Sequence, residues 1–228
     1  MPAPISIVIP TLNAADVLPA TLASLMPALL NGLVQELIIT DGGSTDQTLE
    51  IAEEVGARVV SGPAGRGGQL RRGVEEATAP WILVLHADTH LSGDWTRALS
   101  QHMDAGGDRA GFFTLQFRAV GIAPAWVAGW ANWRSRVLGM PYGDQGLFIA
   151  RRLYDQMGGY DDIPLMEDVA LVRRLKRRLA PLDGLAITSA ARYERDGWMR
   201  RGAKNLWTLA RYRMGVSPER LARSYSKR

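Results

Sequence analysis

Residues 5–48 read ISIVIPTLNAADVLPATLASLMPALLNGLVQELIITDGGSTDQT and alternate between apolar runs and an amphipathic stretch. The runs ISIVI (5–9) and ELIIT (36–40) are rich in β-branched residues and end at Pro10 and Asp41. Short apolar runs with such ends are typical of strands that are buried on both faces of a parallel sheet. The stretch between them repeats apolar or small residues at helical spacing: Val17, Leu18, Thr21, Leu22, Leu25, Leu29. The segment therefore predicts a strand–helix–strand unit.

The alternation of apolar runs and amphipathic stretches continues over about the next 45 residues, which is long enough for two more strand–helix units. The runs ARVV (57–60) and WILVL (81–85) predict two more strands, and helices are predicted over 44–55 and 68–77. Strands that alternate with helices predict an α/β fold with a doubly wound, Rossmann-like sheet and helices on both faces. Ligands of such sheets bind beyond the carboxyl ends of the strands. Polar residues gather at those ends here, in the segments 10–13, 41–43, 62–68 and 86–88.

The rest of the chain has a looser pattern. Residues 110–117 and 146–150 predict strands, and a Trp-rich segment, 124–138, lies between them. A helix is predicted over 167–179, and the segment 200–225 predicts one or two basic amphipathic helices. We expect one domain over residues 1–199 with a C-terminal extension over 200–228.

Composition excludes several classes of protein. Of the 228 residues, 46% are hydrophobic and 22% are charged, which excludes a disordered chain. Cysteine is absent, so disulfide scaffolds, thiolate metal sites and cysteine nucleophiles are excluded, and a reducing compartment is expected. The N-terminal ten residues predict no signal peptide. The longest nearly apolar stretch, 119–131, is too short to span a bilayer, which takes ~20 residues.

Charge is unevenly distributed along the chain. The net charge is +4, but residues 1–168 contain 11 basic and 19 acidic residues, whereas residues 169–228 contain 16 basic and 4 acidic ones. Such asymmetry predicts an acidic body with a basic C-terminal region that meets an anionic partner, either a membrane surface or phosphates. A solvated basic face is the alternative explanation.

Common nucleotide-binding motifs are absent. The glycines of residues 62–68 do not form G-x-G-x-x-G, and G-x-x-x-x-G-K-[ST] occurs nowhere, which disfavours a nicotinamide dehydrogenase and a P-loop NTPase. Five other segments occur in a fixed order: SIVIPTLNAADVLPATLASL, ELIITDGGSTDQT, GRGGQLRRG, ILVLHADT and GDQGLFIARRLYDQMGGYDDIPLMEDVALVRRLKR. Together, over about residues 5–175, they resemble the family 2 glycosyltransferases of the GT-A fold. The segments HADT, GDQGLF and YRMGVSPERLA are similar to a stand-alone bacterial subgroup associated with radical-SAM and arsenosugar biosynthesis gene sets.

The resemblance implies a nucleotide-sugar half over about residues 1–91 and an acceptor half over about 92–199. It places a nucleotide-binding carboxylate at Asp41. The family often has two successive acids at this point, whereas here the second position is Gly42. A turn-forming role for Asp41 is the alternative. The resemblance also places a basic loop, residues 66–71, beside the nucleotide. Its glycines leave backbone amides free for a diphosphate, and Arg66 is preferred over Arg71 as the phosphate-binding arginine. The predicted donor-binding residues are Pro10, Thr11, Asn13, Asp41, Arg66, Arg71, His86, Ala87 and Asp88.

Asp88 matches the last acid of the family's D-x-D motif, which holds a divalent metal on the donor diphosphate. Here the first acid is replaced by His86. One carboxylate together with phosphates is enough for Mg²⁺ or Mn²⁺, and an imidazole suits Mn²⁺ better. Asp88 and His86 are therefore the predicted metal ligands, with a structural role as the alternative for His86.

Glu167 and Asp168 match the family's E-D pair, in which the Asp is the catalytic base. Such a base must lie within hydrogen-bond reach of the acceptor hydroxyl. Compensation of the helix dipole is the alternative for an acidic pair in a first helical turn. The predicted catalytic residues are Asp168 and, second, Glu167.

The predicted acceptor-binding residues are Asp144, Gln145 and Trp133. Trp126, Trp130 and Trp133 recur on one helix face, where core packing or an interface is the alternative to stacking on an acceptor. The tail from 192 to 228 mixes basic and apolar residues, as interfacial helices do, and packing on the protein is preferred over membrane binding.

The functional hypothesis is an inverting glycosyltransferase that moves a sugar from a nucleotide-diphosphate sugar to a hydroxyl, with Mn²⁺ or Mg²⁺. A UDP-sugar is favoured over a GDP-sugar, the acceptor is a small molecule or lipid-linked, and nucleic acid is not expected. The alternatives are a sugar nucleotidyltransferase and a nucleotide-sugar-binding module without activity. A cytoplasmic location is expected, and both a peripheral contact with the inner membrane face and a homodimer are left open.

Overall fold

The computed structural model describes residues 3–226 and consists, over that range, of one eight-stranded sheet with ten α-helices around it. The strands are β1 (Ile5–Thr11), β2 (Val34–Asp41), β3 (Arg58–Ser61), β4 (Trp81–Val84), β5 (Thr89–Ser92), β6 (Ala110–Phe117), β7 (Leu147–Ala150) and β8 (Leu179–Thr188). The helices are α1 (Leu18–Leu30), α2 (Thr48–Glu54), α3 (Arg66–Glu76), α4 (Trp95–Asp104), α5 (Ile122–Leu138), α6 (Arg151–Gln156), α7 (Glu167–Leu175), α8 (Ala191–Asp196), α9 (Trp198–Arg213) and α10 (Pro218–Ser226). A single 3₁₀ turn, Gly143–Gln145, precedes β7.

The sheet has the strand order β3-β2-β1-β4-β7-β6-β8-β5. Its first four strands are parallel to one another, as the apolar runs predict. Their carboxyl ends therefore share one edge of the sheet. The predicted α/β fold with a Rossmann-like half is confirmed.

Helices cover both faces of the parallel half. On one face Ile7 and Ile9 of β1 pack with Leu22 of α1, and on the other Val8 packs with Leu70 of α3 and Leu171 of α7. Burial on both faces explains why β1 is apolar at nearly every position instead of at alternate ones.

The second half of the sheet is mixed. β7 is antiparallel to β4 and β6, whereas β8 is parallel to β6 and antiparallel to β5. The helix predicted over 167–179 ends four residues earlier, because Lys176 adopts a left-handed φ of 51°. Residues 179–188 form β8, which the sequence reading missed, since Pro181 and Gly184 are typical strand breakers. A register shift between β6 and β8 lies beside them.

The C-terminal helices pack on the rest of the protein. α9 lies against α5 and α8, and α10 lies against α9, with Leu221 fully buried and Leu209 nearly so. The predicted boundary between residues 199 and 200 falls inside α9. Within residues 3–226 we find no helix long and apolar enough to cross a membrane.

Candidate active site

Six of the residues predicted from the sequence line one cavity at the carboxyl edge of β4. His86 and Asp88 come from the loop after β4, Arg66 from the start of α3, and Asp144 from the 3₁₀ turn before β7. Glu167 and Asp168 begin α7. These side chains share the cavity: Arg66, His86, Asp88, Asp144, Glu167, Asp168. The structure thus brings together the predicted metal ligands, one basic donor-binding residue and the predicted catalytic pair.

Asp168 is held in place by backbone donors. Its Oδ2 accepts a hydrogen bond from the Gly143 N–H at 2.7 Å, and its Oδ1 accepts one from the Val169 N–H at 2.7 Å. A carboxylate has about four lone-pair sites, so accepting capacity is left over for a substrate hydroxyl. Met166, which directly precedes α7, has a left-handed φ of 69°, a conformation that costs ~1–3 kcal/mol outside glycine and occurs often at functional sites.

Glu167 is the buried residue of the acidic pair, and its carboxyl lies near Arg66. Its side chain is only 2% exposed, and Arg66 Nε lies 3.7 Å from Glu167 Oε1, which is too far for a good hydrogen bond. Burial and the neighbouring Asp168 carboxylate raise the pKa of Glu167 to about 7, and the charge of Arg66 offsets this only in part. Burial opposes the charged form of Arg66 as well, but Glu167, Asp168 and Asp88 together raise its pKa.

Stability should therefore depend on pH through Glu167. The pKa of Glu167 is about 7 in the folded chain, against 4.5 for an ordinary Glu, so between these values the folded state holds more protons. By linkage, the stability then falls as the pH rises through this window. Glu167→Gln should remove that loss, so that from pH 5 to pH 8 the wild type loses ~1–3 kcal/mol relative to the variant. Urea unfolding at both pH values without added metal measures this, and parallel pH profiles would contradict it.

Asp144 is the third carboxylate of the cavity, and it lies close to Arg134 and Tyr142. Burial raises the pKa of Asp144 to about 6, while Arg134 lowers it and the carboxylates of Asp168 and Asp88 raise it. The Arg134 guanidinium carbon lies 3.5 Å from the centre of the Tyr142 ring. Burial likewise raises the pKa of Tyr142 to about 12. Asp144 thus adds a carboxyl group to the cavity that Asp168 and Asp88 also line.

His86 and Asp88 differ in their surroundings. Burial and then the positive charges of Arg66 and Arg192 lower the pKa of His86 well below its ordinary value, so the imidazole is neutral. The ring packs closely on Gly143, since a Cβ there would lie 2.5 Å from His86 Nε2. The backbone carbonyl of Asp88 accepts a hydrogen bond from the Arg118 guanidinium at 3.1 Å. The carboxylate of Asp88 is not used in this bond and is available to a ligand. Among residues 3–226, no three His, Cys, Asp or Glu side chains are arranged to hold a metal by themselves.

Asp41 lies outside this cavity and organises the loops after β1 and β2. Its carboxylate is buried and accepts from the N–H groups of Gly43 and Ser44 at 2.7 Å and from the Thr11 hydroxyl at 3.1 Å. Burial would raise the pKa of Asp41, but the hydrogen bonds from Ser44, Gly43 and Thr11 outweigh it, and the pKa is lowered. This geometry agrees with the turn-forming alternative, and nucleotide binding by Asp41 stays a prediction.

Asn13 and Gln69 join the same loops. Asn13 has a left-handed φ of 49°, and its side-chain oxygen accepts from the Thr45 N–H at 2.9 Å. Gln69 is buried in α3, and its amide donates to the carbonyls of Thr11 and Thr40 at 2.7 Å each. Gln69 was not singled out from the sequence, because only the fold brings it beneath the strand ends.

Several predicted residues do not line the cavity. The Arg71 side chain is exposed and pairs with Glu75 at 2.9 Å on the outer side of α3. Pro10 lies in β1, and the Ala87 carbonyl accepts from the Thr21 hydroxyl. The predicted site residues outside the cavity are Pro10, Thr11, Asn13, Asp41, Arg71, Ala87, Trp133 and Gln145.

Two of the three predicted acceptor-binding residues are among these. Gln145 is fully buried, and its side chain bonds Ser135 at 2.5 Å and the Phe113 carbonyl at 3.0 Å. It joins α5 to β6 and is not available to a substrate in this structure, so we do not retain it in the candidate site. Trp133 is 47% exposed and stacks on Trp130, with 5.0 Å between the ring centres.

The C-terminal helices supply cavity residues that sequence reasoning missed. Arg192 and Tyr193 come from α8, Arg201 from α9 and Tyr225 from α10. Arg201 is buried, pairs with Asp196 at 3.0 Å and donates to the Tyr225 hydroxyl at 2.5 Å. The surplus of positive charge after residue 168 was the available signal. It does not predict which arginines turn toward the cavity.

Known proteins share this sequence pattern and fold. The family model for glycosyl transferase family 2 matches residues 6–150. A curated relative, the PGL/p-HBAD biosynthesis glycosyltransferase of Mycobacterium bovis, is 43% identical over 93 residues. The match covers 38% of this chain and 36% of the relative, so the chain spans about a third of that protein's length.

Two solved structures are similar over most of the chain. TarS 1-349 of S. aureus in complex with UDP has a TM-score of 0.63 and 17% identity, and the match covers 82% of this chain and 61% of that one. The other is glucosyl-3-phosphoglycerate synthase of Mycobacterium tuberculosis in complex with Mn²⁺, UDP and glucosyl-3-phosphoglycerate. It has a TM-score of 0.58 and 22% identity, and the match covers 82% of this chain and 70% of that one. These likenesses establish a shared GT-A fold. Because the family model matches more than half of the chain, the protein belongs to glycosyl transferase family 2.

Proposed function

We propose that the protein is an inverting glycosyltransferase that moves a sugar from a nucleotide-diphosphate sugar to an acceptor hydroxyl. The observation that carries this proposal is the shared cavity of Asp88, Arg66 and Asp168 at the carboxyl edge of the parallel strands. Nucleotides bind at this edge in doubly wound sheets. The UDP complexes of the two structural neighbours favour a UDP-sugar as the donor.

Asp168 acts as the general base in this proposal. The acceptor hydroxyl gives its proton to an Asp168 oxygen as the hydroxyl oxygen attacks the anomeric carbon, and the bond from that carbon to the diphosphate breaks. The backbone donors of Gly143 and Val169 fix the orientation of the carboxylate. Direct displacement inverts the anomeric centre and needs no covalent intermediate on the enzyme. Glu167, the residue before the base, lies 3.7 Å from Arg66 Nε.

Positive charge is available for the leaving diphosphate. Arg66 lies at the start of α3, where the helix dipole also favours an anion, and Arg192 lies across the cavity. No ion pair to Arg192 occurs in the described part of the chain, so its guanidinium is available for phosphate oxygens. Preorganised charges of this kind stabilise the charge that develops on a leaving group.

The residues present fit a divalent metal bound jointly by protein and donor. Asp88 supplies a carboxylate and His86 a neutral imidazole, and the phosphates of the donor would complete the coordination. When bound, Mn²⁺ or Mg²⁺ would offset the negative charge of the diphosphate. The neighbouring synthase was solved with Mn²⁺ or Mg²⁺ and UDP.

A panel of donors tests this function. Thermal unfolding is measured with UDP-, GDP- and dTDP-sugars, each with and without Mn²⁺. A ligand that binds only the native state stabilises it by ~2.7 kcal/mol at a concentration a hundred times its Kd. We expect one UDP-sugar to raise the melting temperature more with Mn²⁺ than without it. Equal melting temperatures across the whole panel would contradict the proposal.

The finer assignments are also proposals. The HADT, GDQGLF and YRMGVSPERLA segments support the stand-alone subgroup associated with arsenosugar biosynthesis. A peripheral membrane contact is supported by the exposed Arg200, Trp207 and Arg213 of α9, and a cytoplasmic location stays a prediction. Homodimer formation stays a prediction from the sequence.

A further inference from the structure

A second cavity, of about 320 Å³, lies between α5 and α9. We call it the α5–α9 pocket. Its walls are mainly apolar, and its lining includes Trp126, Trp130, Ala131, Trp198, Met199 and Leu206. An apolar cavity of ~150 Å³ in another protein already takes up benzene. The α5–α9 pocket is therefore large enough for an aromatic ring with a short chain.

The α5–α9 pocket adjoins the candidate active site. Five residues line both cavities: Phe117, Tyr142, Asp144, Tyr193 and Asn205. A ligand seated between α5 and α9 would therefore extend past Asp144 toward Asp168. This shared boundary distinguishes the pocket from an isolated packing defect.

Unpaired polar atoms lie where the two cavities meet. The side-chain atoms Arg134 Nη2, Tyr142 Oη and Asp144 Oδ1 are buried and have no hydrogen-bond partner in the part of the chain that the structure describes. Arg134 is only 5% exposed, and its Nε donates to the Met140 carbonyl at 2.9 Å. Buried polar groups without partners are costly, so such a group calls for a ligand or water.

We infer that the α5–α9 pocket binds the apolar body of the acceptor, an aryl ring or alkyl chain that carries the reacting hydroxyl. This inference rests on the proposed function. The polar end of the acceptor would pair with Arg134, Tyr142 and Asp144 and present its hydroxyl to Asp168. A wholly polar acceptor would leave its own groups unpaired against Trp126 and the other apolar walls. An aryl or alkyl body instead removes those walls from water.

Calorimetric titration with phenol, 4-ethylphenol and 4-butylphenol tests the pocket without any donor. Burial of one methylene contributes ~0.8 kcal/mol, which corresponds to about fourfold in affinity. We expect the affinity to rise by about this factor for each methylene added, and no binding of glycerol. Affinities that do not change along the series would overturn the inference.

Two glycine variants locate the binding. Gly202 lines the pocket from α9, and a Cβ there meets nothing within 4 Å, so we use Gly202→Leu to place a larger side chain at the pocket wall. Gly129 on α5 has the same open surroundings but lies outside the pocket, so Gly129→Leu is the matched control. We expect Gly202→Leu to weaken 4-butylphenol binding by about tenfold or more and Gly129→Leu to leave it unchanged. Equal binding by both variants would overturn the inference.

Two further experiments ask whether the acceptor comes from a bilayer or from solution, and whether the pocket inference can hold if the proposed function fails. If the wild type sediments with phosphatidylglycerol vesicles and Gly202→Leu does not, the acceptor is presented from a bilayer. If the protein binds the soluble phenols but not the vesicles, the acceptor is dissolved. Both results support the pocket. The donor panel is independent of these titrations. Phenol binding without any nucleotide-sugar binding would sustain the pocket while refuting glycosyl transfer.

Discussion

Replacement of Asp168 by Asn should lower turnover by ~10²–10⁴-fold while nucleotide-sugar binding survives. Asn is nearly the same shape, and its oxygen can still accept from the Gly143 N–H. Its amide nitrogen carries no lone pair for the proton of the acceptor hydroxyl. The loss should therefore fall on the chemical step. Steady-state transfer or donor hydrolysis with the best donor of the panel measures turnover, and calorimetry measures donor affinity.

Glu167→Gln is the matched control for this variant, because it removes the other carboxyl of the pair. Since Glu167 is buried and pairs only loosely with Arg66, its loss should reduce turnover less than the loss of Asp168. A protein that merely binds nucleotide sugars would show no turnover to lose. Near-wild-type turnover of Asp168→Asn would transfer the role of base to another group.

Asp88→Ala should abolish the metal-dependent part of donor binding and leave the fold intact. Asp88 is the carboxylate that follows β4 beside the cavity, and its side chain takes part in no hydrogen bond among residues 3–226. Replacement of the outer-shell partners of metal ligands already costs ~10–100-fold in metal affinity, and Asp88 is a proposed ligand itself. We therefore expect the Kd for the nucleotide sugar with Mn²⁺ to rise at least about tenfold, to the value without metal.

Asp94→Ala controls for the loss of one negative charge nearby. Asp94 is exposed and makes no side-chain capping hydrogen bond at the start of α4. Its replacement should leave the metal dependence unchanged. If calorimetry finds the same metal dependence in Asp88→Ala as in the wild type, the metal assignment is wrong.

The parallel half of the sheet could be predicted from the sequence because it depends on local signals. The runs that form β1, β2 and β4 each contain at least three consecutive apolar residues and end at Pro10, Asp41 and His86. β5 and β8 gave no such signal. β5 reads THLS, in which only Leu91 is apolar. β8 contains Pro181 and Gly184, which are accommodated beside a register shift that only pairing with β6 produces.

The candidate site could be predicted to the extent that its residues follow strand ends or begin helices. Asp88 and Asp168 belong to short motifs with a fixed place in the fold, and the structure brings them into one cavity. Arg192 and Tyr225 reach that cavity only because α8, α9 and α10 fold back on the body of the protein. Gln145 follows Asp144 in the same segment, but its side chain turns into the core and bonds the Phe113 carbonyl, which the sequence alone does not show.

A crystal structure of the full chain with UDP and Mn²⁺, with the metal located by anomalous scattering, tests the central claim most directly. The account predicts a manganese peak at ~2.0–2.2 Å from an Asp88 carboxylate oxygen, diphosphate oxygens on the same ion, and Asp168 facing the position of the transferred sugar. A peak away from Asp88, or a nucleotide bound outside the carboxyl edge of β1, β2 and β4, would contradict it.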